Sequence, residues 1–427
     1  MIRPFYRLIL IKNKNMNTKK NHKKIFSFLL LFYFIVLKTP VAFAALPGQM
    51  NLRNGYQMYV LSVKDENLWA EYEKVFFQGQ ELLLGEEDLK NISDSLLETK
   101  TEKGVNRAYI SQFLTENIAS KIARTEQGAE ISLENDKVVF SKTIQQGENL
   151  NVAVSTKIVE EALKNNIDEV ELAVNTNLPL LDISSDLQEQ GVKEIIAIGE
   201  SDFSTSSEAR IHNIKTAIEK FHGLIVPRGA EFSFNEILGP VNGHTGYKKE
   251  LVIKGGRAVP EWGGGVCQVS STLYRAIMLA GLPVLERGNH SYSVSYYTPW
   301  GSDATVYPGS YDLKFKNNSQ GSLVIHAHIK ESKLYFTLIG SKKGLENTDI
   351  FGPYITNTIK APPTQFLPST TLAPGKKVLI SHAHNGFTST WFRKIGDSHE
   401  KIISKYAAIP RVYKVGGLNS VKIGSLD

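Results

Sequence analysis

Three consecutive glycines, Gly263-Gly264-Gly265, run straight into Val266-Cys267-Gln268-Val269-Ser270-Ser271-Thr272-Leu273-Tyr274. Behind them Val266, Val269, Leu273, Ile277 and Ala280 recur at helical spacing until Gly281 and Pro283 stop the run. The pattern predicts a glycine turn that opens a helix with one apolar face, and it sets Cys267 in the first turn of that helix. Cys267 is the only cysteine among 427 residues. With no partner for an internal disulfide, it is a passive buried thiol, an intermolecular link or a nucleophile.

The N-terminus bears on that choice. A basic stretch (Lys12, Lys14, Lys19, Lys20, Lys23 and Lys24) precedes an apolar run from 25 to 37, and Ala42-Phe43-Ala44 supplies a small-x-small cleavage pattern. Residues 1–44 therefore read as a signal peptide, and the run is short for a membrane span. The chain is expected to be exported, to the periplasm or to the cell wall and extracellular face. It touches a membrane only through the leader, if that is left uncleaved. Nine of the 49 basic residues and none of the 43 acidic ones lie in this leader, so the remainder carries a net charge near −3. The basic excess vanishes with it, which leaves no electrostatic footprint for nucleic acid.

The 383 residues that follow are enough for two or three domains with cores of their own. The expected class is multi-domain α+β. Residues 45–103 read as an uncharacterised, partly helical segment. A mixed α/β scaffold domain follows at 104–200, with helices at 109–123 and 156–164 and strands at 130–133, 138–140 and 170–174. An α+β domain at 201–345 holds the glycine–cysteine helix and a second helix at 211–221. Its expected strands lie at 294–297, 313–315, 323–329 and 334–339. A linker from Pro362-Pro363 to Ala373-Pro374-Gly375 leads into a small β-domain, the two together spanning 360–417.

A helix start offers free N–H groups and partial positive charge, which lower a thiol's pKa and can hold an oxyanion. A thiol nucleophile then needs an imidazole, and the imidazole an orienting carboxylate. His290, in Glu286-Arg287-Gly288-Asn289-His290-Ser291, and Asp303, in Gly301-Ser302-Asp303-Ala304-Thr305, are the candidates. The competing reading packs Cys267 as a small hydrophobe and leaves His290 and Asp303 to local hydrogen bonds.

Gly199-Glu200-Ser201-Asp202-Phe203, then Arg210, Asn213 and Ile214, Phe232-Ser233-Phe234-Asn235, Gly246-Tyr247, the glycine–cysteine run, Glu286-Arg287 with His290-Ser291, and Asp303-Ala304-Thr305 follow one another in a specific order. In that order they resemble the VanW domain of bacterial cell-envelope proteins, over about 199–340. Residues 104–196 resemble the peptidoglycan-binding domain that precedes VanW in many such proteins, and 360–417 the glycine-containing β-module (G-five) that often follows it. Gly288-Asn289 departs from the basic or aromatic residue expected there, and glycine is expected to loosen that loop.

The family name comes from glycopeptide-resistance clusters, and some members are associated with peptidoglycan L,D-transpeptidation through this cysteine. The resemblance thus implies Cys267 as nucleophile and peptidoglycan stem peptides as partner, with no metal or organic cofactor required. Motif position and chemistry add His290 as base and Asp303 as orienter. Gly264, Gly265, Gln268, Trp262, Arg287 and Tyr296 are the expected substrate-binding residues. A non-catalytic wall-binding protein and a cysteine amidase or endopeptidase remain as alternatives.

Two H-x-H pairs, His326 with His328 and His382 with His384, have the strand spacing of zinc ligands. No cysteine cluster or HExxH accompanies them, which favours histidines that simply decorate strands. Trp262, Trp300, Tyr292, Tyr296 and Tyr297 crowd the region of the cysteine, as a groove lining or as core.

Overall fold

The computed structural model describes residues 48–417 apart from 55–56, 78–79, 82–96, 136, 255–256 and 346–347. The leader read at 1–44 lies outside the described residues. The described chain forms two compact units. One comprises residues up to Ala123 with Asn149–Asn175, and the other comprises Arg124–Glu148 and everything from Thr176 onward.

In the first unit β1 (Gln49–Asn54) pairs antiparallel with β2 (Gln57–Ser62) and parallel with β9 (Glu169–Glu171). A second sheet sets β3 (Trp69–Phe77) between β4 (Gln80–Glu81) and β5 (Leu97–Val105). Among the described residues, the segment expected to be partly helical is strand-rich with one 3-10 turn, Glu66–Leu68, while 82–96 lie outside the described residues. Helix α1 (Arg107–Leu114) starts under an Asn106 cap and continues through a π turn, Thr115–Ala119. Helix α2 (Val152–Lys164) starts under Asn151; each cap oxygen accepts an amide of the first turn that would otherwise go unbonded. Leu52, Leu61, Leu68, Ile110, Leu114, Val159 and Leu163 close the core. The single strand expected at 170–174 is broken, because β9 belongs to the β1 sheet while the chain leaves through β10 (Val174–Asn177), which pairs with β8 (Gly147–Leu150).

The second unit begins with a small sheet, β6 (Glu130–Glu134), β7 (Lys137–Phe140) and β11 (Asp182–Ile183), followed by α3 (Ser185–Glu189). Its centre is a four-stranded antiparallel sheet in the order β12 (Glu194–Asp202), β20 (Lys333–Gly340), β19 (Leu323–Lys330), β13 (Leu224–Val226). β12 runs across residue 200, where the sequence reading drew a domain boundary, so the span 104–200 is shared between the two units. Alternate residues of β12, including Ile195, Ala197 and Ser201, are buried, as one covered sheet face requires.

Across β12 and β20 lies α6 (Val266–Ala280), beside α4 (Glu208–Ile218). The approach is close. A Cβ on Gly199 would lie 2.3 Å from the Thr272 carbonyl oxygen and 2.7 Å from the Ala276 nitrogen, so this strand position accepts only glycine. α6 ends where the Gly281 and Leu282 amides turn back onto the Ile277 and Met278 carbonyls, with Gly281 at φ +72°. Around this core stand α5 (Phe234–Leu238), the hairpin β15 (Lys249–Lys254) and β16 (Arg257–Trp262), and the sheet β14 (Glu231–Ser233), β18 (Lys314–Lys316), β17 (Val284–Glu286).

The strand expected at 294–297 is instead a 3-10 turn, Ser295–Tyr297. Its residues bury Tyr297 and leave Tyr296 half-buried, and no ladder partner lies alongside among the described residues.

The C-terminal module is two three-stranded sheets: β21 (Thr348–Ile359), β24 (Gly386–Ile395), β25 (Ser398–Tyr406), and β22 (Gln365–Pro374), β26 (Val412–Gly416), β23 (Lys377–Ser381). β22 occupies the expected linker. It is an edge strand, where the missing N–H groups of Pro368 and Pro374 cost nothing in ladder bonds. No described helix is long and apolar enough to cross a membrane.

Candidate active site

The sequence pattern promised α6 one apolar face, but the helix is buried almost all round: only Cys267 and Leu279 are partly exposed. Its polar side chains are buried because each is satisfied. The Gln268 amide donates to Ser201 and to the Asp202 carbonyl and accepts from Arg210. Thr272 bonds Ser201 at 2.6 Å. Arg275 donates to the carbonyls of Glu200, Tyr297, Thr298 and Ser302. Ser270 and Ser271 both donate to the Ala304 carbonyl, and the Ala304 amide donates back to Ser271. These two serines clip the segment that carries Asp303 against the first turns of α6.

Gly265 caps that helix at φ +116°, a backbone state that a side chain resists. The Val266, Gln268 and Val269 amides return to the Gly263 and Gly265 carbonyls, whereas the Cys267 amide meets no backbone acceptor among the described residues. Cys267 Sγ lies 3.5 Å from the Val306 carbonyl and 3.8 Å from Thr305 Oγ1.

His290 and Asp303 join it. Asp303 is fully buried and His290 nearly so. His290 Nδ1 lies 2.6 Å from Asp303 Oδ2, and the His290 amide donates to the same oxygen at 2.8 Å. The other carboxylate oxygen accepts from Tyr406 at 2.5 Å and from Arg287 at 3.2 Å. The Tyr297 ring stacks on the imidazole, centroids 4.0 Å apart, and fixes its plane.

Burial opposes charge on both His290 and Asp303. Hydrogen bonding to His290 nevertheless holds Asp303 well below the usual carboxylate range, and Asp303 with Cys267 lifts His290 to about 9. Burial pushes the Cys267 thiol up, but the adjoining His290 ring outweighs it and leaves the thiol below its ordinary value. His290 Nε2 itself has no hydrogen-bond partner among the described residues. Cys267 and His290 are electrostatically coupled, each favouring the charged form of the other.

The residues expected to bind substrate divide. Gly264 and Gly265 form the turn before Cys267, the Gly264 carbonyl being tied by Asn213. Trp262 is exposed on β16 beneath the Lys249 ammonium. Tyr296 is half-buried, its ring covered by the Arg210 guanidinium at 4.3 Å. Gln268 and Arg287, by contrast, face inward and spend their polar groups on the protein, which removes them from a substrate surface. Gly288 does not loosen its loop, since its carbonyl accepts the Thr305 amide at 2.8 Å in an isolated bridge. Tyr292 and Tyr297 are core, and Trp300 packs on Phe387. Tyr406 was missed in the sequence, whereas Arg210 was read there only as a member of the family-like motif order and Tyr297 only as one of the aromatics crowding the cysteine's region.

His326 and His328 stack on one another on β19 with centroids 4.8 Å apart, and His222 adjoins them at 5.0 Å from His326. The His222 ring is tilted by 56° against that of His326. Among the described residues no group of three His, Cys, Asp or Glu is disposed to hold a metal ion.

Residues 209–339 match the family model described as VanW like protein, and this VanW-like domain contains Cys267, His290 and Asp303. A stretch of 139 residues is 37% identical to the uncharacterized protein YoaR of Bacillus subtilis (strain 168), covering 33% of this chain and 46% of that protein. Another of 141 residues is 27% identical to the vancomycin B-type resistance protein VanW of Enterococcus faecalis (strain ATCC 700802 / V583), covering 32% of this chain and 51% of that protein. The chain thus spans about half the length of both relatives.

Proposed function

We propose that the chain is an exported cell-envelope enzyme, a peptidoglycan L,D-transpeptidase that works through a Cys267 thioester. The observation that carries this reading is the meeting of Cys267 at a helix start with a His290 ring held by a buried Asp303. The likeness to a protein named for vancomycin resistance supports an envelope setting.

In the first step the Cys267 thiolate attacks the carbonyl carbon of the third stem-peptide residue, a diamino acid, and its oxygen becomes an oxyanion. The Cys267 amide stands where it can donate to that oxyanion. The C–N bond to the terminal D-alanine then breaks, and the His290 imidazolium gives its proton to the departing amine. In the second step the side-chain amine of a neighbouring stem attacks the thioester. Neutral His290 accepts the amine proton, the C–S bond breaks, and the thiolate–imidazolium pair returns with a 3–3 cross-link formed. Water in place of the amine makes the same centre an L,D-carboxypeptidase.

The test is intact-protein mass spectrometry with tetrapeptide muropeptides, run beside Cys267→Ala. Adduct on the wild type alone, with free D-alanine and cross-linked dimers, is the expected result. Adduct without dimers, on supplied acceptor, indicates hydrolysis. A thiol that is alkylated by iodoacetamide but never acylated would return the chain to the wall-binding reading.

A further inference from the structure

The C-terminal module meets the loop that bears His290 and Asp303 at both of its ends. On one flank the Asn289 amide donates to the Lys405 carbonyl, the Ala407 amide donates to the Ser291 carbonyl, and Arg287 Nη1 donates to Ser404 at 2.8 Å. On the other flank the Trp300 carbonyl accepts from Ser389 and from the Trp391 ring, and the Gly301 amide donates to the Tyr406 hydroxyl at 2.7 Å. The same hydroxyl donates to Asp303 Oδ1 at 2.5 Å. Arg393, almost wholly buried on β24, donates to the Met278 and Leu282 carbonyls at the far end of α6. The module is thereby attached to the nucleophile's helix and to the base's loop, although it lies outside the matched residues 209–339.

We infer that Tyr406 is a positioning residue of the reactive centre, and that the C-terminal β-module is a built-in part of that centre. The inference rests on the cysteine–histidine–aspartate reading above and extends it. Asp303 has two oxygens and two tasks. Oδ2 orients His290, and it points there only if Oδ1 is held. The two donors on Oδ1 are Tyr406, which comes from the module, and Arg287, whose other arm ends on the module's Ser404. A hydroxyl bonded at once to a backbone amide and a buried carboxylate has both its donor and its acceptor function committed, so its place is determined to within a rotamer. Remove the phenol and the carboxylate keeps its charge but loses its strongest lateral restraint, and the alignment of His290 with Cys267 goes with it.

The test uses the full chain and the rate of iodoacetamide alkylation against pH. With one cysteine, the mass gain reports Cys267 alone. Tyr406→Phe, which keeps the ring, is expected to slow alkylation at pH 7 by roughly tenfold, the size of one hydrogen bond to a charged group, and to move the midpoint of the profile upward. Its melting temperature serves as the check on the fold. A folded Tyr406→Phe with the wild-type rate and midpoint overturns the inference. Asp303→Asn in the same assay separates the two layers. If it slows alkylation while Tyr406→Phe does not, only the role of Tyr406 is lost; if neither does, the Cys–His–Asp reading itself fails. Should Tyr406→Phe not fold, Ser404→Ala removes the module-side anchor of Arg287 and is expected to slow alkylation roughly threefold, an unchanged profile there counting equally against the inference.

Discussion

Asp303 Oδ2 accepts two hydrogen bonds from a single residue, the ring nitrogen of His290 at 2.6 Å and its backbone amide at 2.8 Å. A carboxylate that grips both the ring and the main chain of its partner sets the tautomer and the position of the imidazole together. Nε2 is left as the only ring nitrogen able to exchange a proton with Cys267.

Asp303→Asn is therefore expected to reduce thioester formation by about 10²-fold or more, because the amide cannot stabilise an imidazolium. It also strips Arg287 and Tyr406 of a buried anion, at a cost of about 3–5 kcal/mol. Single-turnover acylation and urea unfolding measure the two effects separately. A variant that unfolds at the wild-type urea concentration would contradict the burial and bonding of this carboxylate.

His290 gives the pH dependence a definite sign. Its folded-state pKa, about 9, is raised above the ordinary imidazole value of 6.5. The stability it contributes is fully present below pH 6.5 and is lost as pH climbs through 9. Unfolding free energy measured at pH 6.5 and at pH 9.5 should fall more for the wild type than for His290→Ala. In that variant the alkylation midpoint of Cys267 should rise, since burial remains and the cation is gone.

Gly265→Ala should cost about 1–3 kcal/mol and blunt thiol reactivity as well. A methyl there is strained at φ +116° and lies 3.1 Å from both Arg210 and Ile214. Thermal denaturation and alkylation rate, taken on the same sample, should decline together; full reactivity in a destabilised protein would separate the turn from the chemistry.

The histidine stack behind the sheet predicts acid sensitivity of a different origin. Burial holds His326 down to about 2, His328 down to about 4 and His222 below its ordinary value. Groups whose folded pKa is depressed contribute stability above 6.5 and lose it as pH falls toward the folded values. Phe140 and Tyr335 pack on these rings, while Lys142, Glu219 and Lys330 are the charged groups nearby. His328→Phe, which keeps a flat ring on Tyr335, should flatten the decline in melting temperature between pH 7 and pH 4.5. A slope equal to the wild type's would clear this residue of the effect.

Much of the helix and strand order was legible from apolar spacing and glycine stops, as at Gly281 beyond Ala280, because those signals are local. Cys267, His290 and Asp303 were legible as residue types whose chemistry is complementary. Their convergence was not, since it depends on Ser270 and Ser271 clipping Ala304 to α6, and serines near a helix start ordinarily read as caps. Gln268 and Arg287 misled for a related reason. A polar residue beside a nucleophile reads as a substrate contact until its partners, Arg210 and Ser404, are seen. Tyr406 could not have been found at all, as 103 residues separate it from Asp303 and no spacing rule spans that distance. The strand at 365–374 hid behind prolines that only an edge position tolerates.

The contact of Gly199 with Thr272 and Ala276 sets the height at which the cysteine's helix rides above the sheet. One absent methyl group thus acts as a spacer gauge, several residues from any reacting atom. Alanine at position 199 would set a Cβ 2.3 Å from the Thr272 carbonyl oxygen, so α6 would have to leave its seat on the sheet and carry the sulfur away from the imidazole with it. The seating of the cysteine is in this way set from beneath, by a buried strand position whose side chain is a single hydrogen atom.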